Sequence, residues 1–147
     1  MKKLLMIPVL FFLFSCETEG ELTKSDLNPI TITPPDAIIP APENAVLKYS
    51  GVFSPTSGIS VSGGLKIYLD NNEYKLMLEG FTISSGPDLK IYLSKSASPD
   101  DFVTLGNLTS ARVYVVPQSV SVASYSHVLI HCQQYNHLFA IAELTQN

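Results

Sequence analysis

Leu65-Lys66-Ile67-Tyr68-Leu69-Asp70-Asn71-Asn72-Glu73-Tyr74-Lys75-Leu76-Met77-Leu78-Glu79 decides the fold. Two alternating apolar runs flank an Asn-Asn pair. Successive strand side chains point to opposite faces, so Leu65, Ile67 and Leu69 share one face of the first run, and Tyr74, Leu76 and Leu78 share one face of the second. Asn tolerates the positive φ that a tight turn requires, which makes Asn71-Asn72 a hairpin connection. The product is an antiparallel ribbon with one oily face. Such a ribbon is marginal alone and needs a second layer over that face.

The same texture runs outward in both directions. Short segments rich in β-branched and aromatic residues alternate with Gly, Pro, Asn and Ser, giving strands at Val46 to Phe53, Gly64 to Asp70, Tyr74 to Phe81, Leu89 to Ser94, Phe102 to Leu105, Ala111 to Val116, His127 to Cys132 and Leu138 to Leu144. No window sustains a 3.6-residue period between caps, so helix is limited to a turn or two around Ser98 to Asp101 and Ser119 to Ser124. About eight strands in about a hundred residues predict an all-β domain, an antiparallel β-sandwich of two sheets packed face to face. With seven Tyr and no Trp, several rings are buried with hydroxyls that need partners, Tyr68, Tyr92 and Tyr114 being candidates.

Upstream the chain changes character twice. Lys2 and Lys3 precede an apolar run from Leu4 to Phe14 that ends in Leu13-Phe14-Ser15-Cys16, the layout of a secretory leader. The run is about half of the ~20 residues that a spanning helix needs. Leu13, Ser15 and Cys16 resemble the bacterial lipobox, which implies cleavage before Cys16 and lipid on its thiol and amine; Phe14 is bulkier than is usual there. Buried acyl chains contribute about 0.8 kcal/mol per CH₂, so two or three hold a domain stably on a membrane. Glu17, Glu19 and Glu21 follow, and this acidic cluster is similar to a surface-export signal of some Gram-negative lipoproteins. A Pro-rich stretch from Asn28 to Ala45 then reads as an extended spacer of about 3.1 Å per residue, with Ile30, Ile32, Ile38 and Ile39 leaving open that part of it lies on the domain as an edge strand. The expected organisation is a signal peptide at 1–15, an acidic then Pro-rich tether at 16–44, and one domain at 45–147. The expected address is the cell envelope, lipid-anchored at the outer membrane; the acidic cluster reads equally as a surface-export signal or as a solvated tether with no address in it.

Charge follows from that division. The whole chain carries nine basic and thirteen acidic residues, a net charge of −4. Losing Lys2 and Lys3 with the leader leaves seven against thirteen, a net charge of −6. An acidic domain with scattered basic residues lacks the clustered Lys and Arg that displace counterions from phosphate, so nucleic acid is excluded as a partner.

There is no nucleophile elbow, phosphate-cradling glycine loop, His-Glu-x-x-His or Cys-x-x-Cys, so a conventional enzyme is the less favoured class. Asp100-Asp101 has the composition of a calcium ligand pair, but after Pro99 it reads as a turn. The remaining concentration is His127, His131, Cys132 and His137. Once Cys16 is acylated, Cys132 is a thiol without a partner in its own chain. That leaves a core cysteine, an intermolecular bridge, a redox thiol or a metal ligand. Strand parity places Val128, Ile130 and Cys132 on one face and His127, Leu129 and His131 on the other. Cys132 to His137 has the Cys-x₄-His spacing of blue-copper loops, but no histidine precedes His127 and no methionine follows Cys132, which argues against copper. Haem ligation through Cys132 or a histidine stays open, without an attachment motif to support it.

Three stretches together resemble the DM13 domain. They are Ser60-Val61-Ser62-Gly63-Gly64-Leu65-Lys66-Ile67-Tyr68, then Gly86-Pro87-Asp88-Leu89-Lys90-Ile91-Tyr92-Leu93-Ser94, then Tyr114 to Pro117 with Val128 to Cys132 and Phe139 to Leu144. Gly-Pro-Asp-Leu ahead of a strand ending Tyr-Leu-Ser is the most specific part. The resemblance covers Tyr49 to Leu144 and implies a compact β-sandwich with a part in electron transfer. It further implies that Cys132 is a redox thiol or a ligand to a prosthetic group such as haem, and that a redox partner protein exists. His131 stands where the family usually has Trp, and Ala140 where it usually has Gly. A non-catalytic adhesion or interaction module, with Cys132 as a core residue only, is the rival expectation.

Overall fold

A computed structural model describes residues 43–147. The segments expected to be a signal peptide, Cys16 and nearly all of the expected tether lie outside the described residues. The elements are β1 (Val46–Pro55), β2 (Val61–Asp70), β3 (Glu73–Ile83), β4 (Leu89–Ser94), β5 (Phe102–Asn107), β6 (Val113–Val115), β7 (His127–Cys132), β8 (His137–Glu143) and β9 (Thr145–Gln146), with a one-turn 3-10 helix at Val122–Ser124. Every pairing is antiparallel, and the described residues contain no α-helix.

The deciding hairpin forms in the expected register, with Leu65 opposite Leu78, Ile67 opposite Leu76 and Leu69 opposite Tyr74. Asn71 and Asn72 both take positive φ, 48° and 66°, the conformation that a type I′ turn demands of its two central residues. Leu65, Ile67, Leu76 and Leu78 all enter the core.

The hydrogen-bonded path runs β5-β4-β7-β8-β1-β2-β3-β6, with β9 paired to β1. The long first strand makes two layers out of one path. Its Val46–Val52 part pairs with β2, while Phe53 to Pro55 pair with Ala142 to Ala140 of β8. β1 therefore turns the corner between the sheets, and the Pro that ends it sits where a missing N–H is tolerated. At the two ends of the path, Cα atoms of β5 and β6 come within 8 Å, so the sandwich nearly closes into a barrel.

Between the layers lies one aliphatic and aromatic core, including Leu65, Ile67, Leu76, Ile91, Leu93, Val128 and Ile130, each 2% exposed or less. Each such side chain contributes roughly 1.5–3 kcal/mol by leaving water. One bulge corrects the simple alternation. Across from Gly63, β3 carries two residues, so the register slips between Ser62 and Gly64. Gly80 takes φ +53° there and Gly63 φ +87°. The slip reverses parity, and Phe81, an odd position after the inward-facing Leu76 and Leu78, also turns inward against Phe53 with ring centroids 5.0 Å apart.

Candidate functional site

The His-Cys cluster of the sequence becomes a hairpin and not a ligand sphere. Cys132 ends β7 and pairs with His137, the first residue of β8, across the turn Gln133 to Asn136. Its thiol is free and wholly buried, with Val128 and Ile130 beside it on the core face. His137 is exposed at the rim and meets Phe139 edge-on at 5.4 Å. His127 sits at the other end of β7, five residues or about 17 Å from Cys132, with its Nδ1 2.8 Å from Ser126 Oγ. No group of three or more His, Cys, Asp or Glu side chains converges among the described residues. Asp100 is exposed and Asp101 is an ion-pair partner of Lys95 at 2.8 Å.

Around Cys132 the distant motifs of the sequence meet. Leu89 is its cross-strand partner on the other side, and the Gln133 N–H donates to the Asp88 carbonyl at 3.0 Å. Asp88 in turn holds Lys90 at 2.7 Å. Gly86 lies so close to the core that a Cβ there would stand 2.7 Å from a Leu89 methyl and 3.1 Å from the Phe139 ring. Thr56 caps the start of β8, its N–H donating to the Phe139 carbonyl at 3.0 Å and its hydroxyl to the Leu138 carbonyl. The Gly-Pro-Asp-Leu turn, the Cys132 hairpin and Phe139 thus close one end of the sandwich together.

His131 projects from the opposite face, as parity requires, yet it is only 5% exposed. Leu129 and Tyr92 on that same face are buried too, so the centre of this sheet is dry on both sides. The signal for this was the unbroken Val-Leu-Ile run of β7, the mark of a strand covered on both faces. His131 stacks on Tyr92 at 5.5 Å, and Tyr92 stacks on Phe102 at 4.0 Å. Burial pushes the His131 imidazole below its ordinary range; contact with Asn136 opposes this and the nearby His137 adds to it. The His131 Nδ1 has no hydrogen-bond partner among the described residues. Burial likewise pushes the Tyr92 phenol up, with Lys90 pulling it down and Asp88 adding to the rise. Of the other tyrosines singled out, Tyr114 is buried with its hydroxyl accepting the Thr109 N–H at 3.1 Å, whereas Tyr68 is half-buried.

A porphyrin does not fit at Cys132 as the chain is folded. The sulfur is enclosed by the aliphatic cluster, and the cavity described below does not border it. The chemistry open to Cys132 is that of a single thiol under a turn whose residues Gln133 to Asn136 are all exposed.

The family model described as electron transfer DM13 matches residues 53–144, which includes every element from the end of β1 to β8. No curated protein and no solved structure matches the chain.

Proposed function

Because the chain belongs to the DM13 family of electron-transfer domains, we propose that it is a lipid-anchored envelope protein whose domain has a redox role centred on Cys132. The observation that carries the reading is the meeting of Asp88-Leu89, Cys132 and Phe139 at one end of the fold, since these are the stretches most specific to the family. A lone thiol exchanges electrons with a partner disulfide in a balanced step. Cys132 Sγ forms a bond to one partner sulfur, the partner S–S bond breaks, and the second partner sulfur leaves as a thiol with the proton that Cys132 gave up. Access requires the Gln133–Asn136 turn to open. A partner protein carrying a disulfide at the membrane surface is the implied reactant, with Cys16 and its lipid supplying the anchor and the tether the reach.

Native-state alkylation and trapping of mixed disulfides in the envelope test this reading, with Cys132→Ala as the control. The expected result is a mixed disulfide that disappears in the variant. A thiol that reacts only after denaturation, in a protein with no absorbance or paramagnetic signal, would overturn it. Its complete burial favours that second reading, an interaction module in which Cys132 only packs. The anchor is tested separately. Labelled palmitate enters the wild-type chain and not Cys16→Ser; incorporation into both refutes lipidation at Cys16.

A further inference from the structure

The five-residue connection from β5 to β6 is a strap that crosses the seam between the two sheets. Leu108 N–H donates to the Leu89 carbonyl at 2.8 Å, which fixes one end on the sheet that carries Cys132. At the other end the Leu78 N–H donates to the Arg112 carbonyl at 2.8 Å, and the Thr109 N–H donates to the Tyr114 hydroxyl. Under the strap β3 has lost its neighbour on the side away from β2, because β6 pairs with β3 only at Lys75, Leu76 and Met77. The result is a groove of about 520 Å³, within the ~300–1,000 Å³ range of small-molecule sites. Leu78, Phe81, Ile83 and Leu108 supply its apolar wall, and Ser110 and Arg112 its polar rim.

Arg112 is the only arginine of the chain. Its Nη1 donates to the Phe81 carbonyl at 3.1 Å, taking the place of a missing strand neighbour. That contact orients the guanidinium and uses one of its five donors. The ion pairs among the described residues all use lysine, and Arg112 has no carboxylate partner among them. Among the described residues, this half-buried cation beside an apolar groove has no anion to complete it. A planar guanidinium with free donors matches a carboxylate in two parallel hydrogen bonds.

We propose that this groove binds a small amphipathic monocarboxylate, its apolar body along Leu78, Phe81 and Leu108 and its carboxylate on Arg112. The site does not include Cys132, and the inference stands whether or not that thiol is redox-active.

Decanoate and its neutral counterpart decanol are the probes, titrated into the full chain carrying Cys16→Ser so that no acyl chain of its own competes. The expected result is saturable binding of one decanoate per chain, with decanol weaker by about tenfold or more, the worth of a charge-assisted hydrogen bond. Arg112→Gln should lower decanoate affinity by a similar factor and leave decanol unchanged, while Arg112→Lys should retain part of the preference. Ser110→Trp, which fills the mouth from an exposed position, should abolish binding of both, and it decides the matter if Arg112→Gln does not fold. Equal affinity for the two probes, or decanoate binding that survives Ser110→Trp, would overturn the proposal.

Discussion

Replacing Gly63 by Ala tests how tightly the β2–β3 bulge is closed, and the structure supplies both parts of the cost. Gly63 has φ +87°, where an L side chain is strained by roughly 1–2 kcal/mol. A Cβ built there stands 2.4 Å from the Gly80 carbonyl oxygen and 2.5 Å from that of Glu79. Both are backbone atoms, so no side-chain rotation relieves the clash, and overpacking adds about 1–3 kcal/mol. The sum, about 2–5 kcal/mol, is a large share of the ~5–15 kcal/mol that holds a domain folded. Gly80 is the internal control. It faces Gly63 in the same bulge with φ +53°, but a Cβ there meets nothing within 4 Å, so Gly80→Ala carries the left-handed dihedral cost alone, about 1 kcal/mol at the low end of that range. Thermal unfolding followed by circular dichroism should place Gly80→Ala roughly 4–8 °C below wild type and Gly63→Ala at least ~8 °C below it and further than Gly80→Ala. Urea midpoints with unchanged slopes would show that the native state itself has lost stability. Equal losses in the two variants would mean that the bulge yields freely, and the account of how Phe81 is turned inward would fail with it.

His131 predicts an acid-side loss of stability. Its folded-state value lies below the ordinary 6.5, so above that pH the ring is neutral in both states and adds no pH dependence. As pH falls through 6.5 the unfolded chain takes up the proton and the folded chain resists it, so stability drops until the folded value is passed. His131→Phe keeps the stack on Tyr92 and should flatten that part of the pH profile; an unchanged slope would exonerate the imidazole. Cys132→Ser sets a hydroxyl in a dry aliphatic cluster and should cost about 1–3 kcal/mol, whereas Cys132→Ala should cost about 1 kcal/mol, the loss of a methylene-sized group. Denaturant unfolding that ranks Ser as the milder change would mean the sulfur has a polar neighbour. Gly86→Ala should cost about 1–3 kcal/mol by pressing on Leu89 and Phe139, and a wild-type midpoint would show that the Gly-Pro-Asp-Leu turn is loosely seated.

The ribbon that fixes the fold was legible because its information is local. Alternation placed Leu65, Ile67, Leu76 and Leu78 inward, and two asparagines announced the turn. β4 and β7 were readable to the residue for the same reason. What alternation cannot carry is a change of phase or a second cover. Gly80 inside a strand pattern is the usual trace of a bulge, and only the bulge explains why both Leu78 and Phe81 face the core. Asp70, which ends its strand beside the turn, is buried against Lys75 at 2.7 Å and Asn71 at 2.9 Å, because the hairpin folds its own polar groups over it.

The candidate site divides along the same line. Cys132 facing inward and His131 facing outward followed from parity, a local property. That the outer face is also dry around Tyr92 and His131 depends on how other segments lie over the sheet, which no period of two encodes. The groove at Arg112 is more remote still, since it exists only where the β5 end of the path meets the β6 end and leaves part of one edge of β3 unpaired. Its one trace in the sequence is a solitary arginine. The two ends of Leu89 join these observations: its carbonyl holds Leu108 of the strap, and its cross-strand partner is Cys132. A ligand that stiffens the strap therefore stiffens the strand beside the thiol, so decanoate should slow the alkylation of Cys132 without touching it. Chemistry at the hairpin and binding at the groove are then linked through one strand start, and a rate unchanged at saturating decanoate would show that they are not.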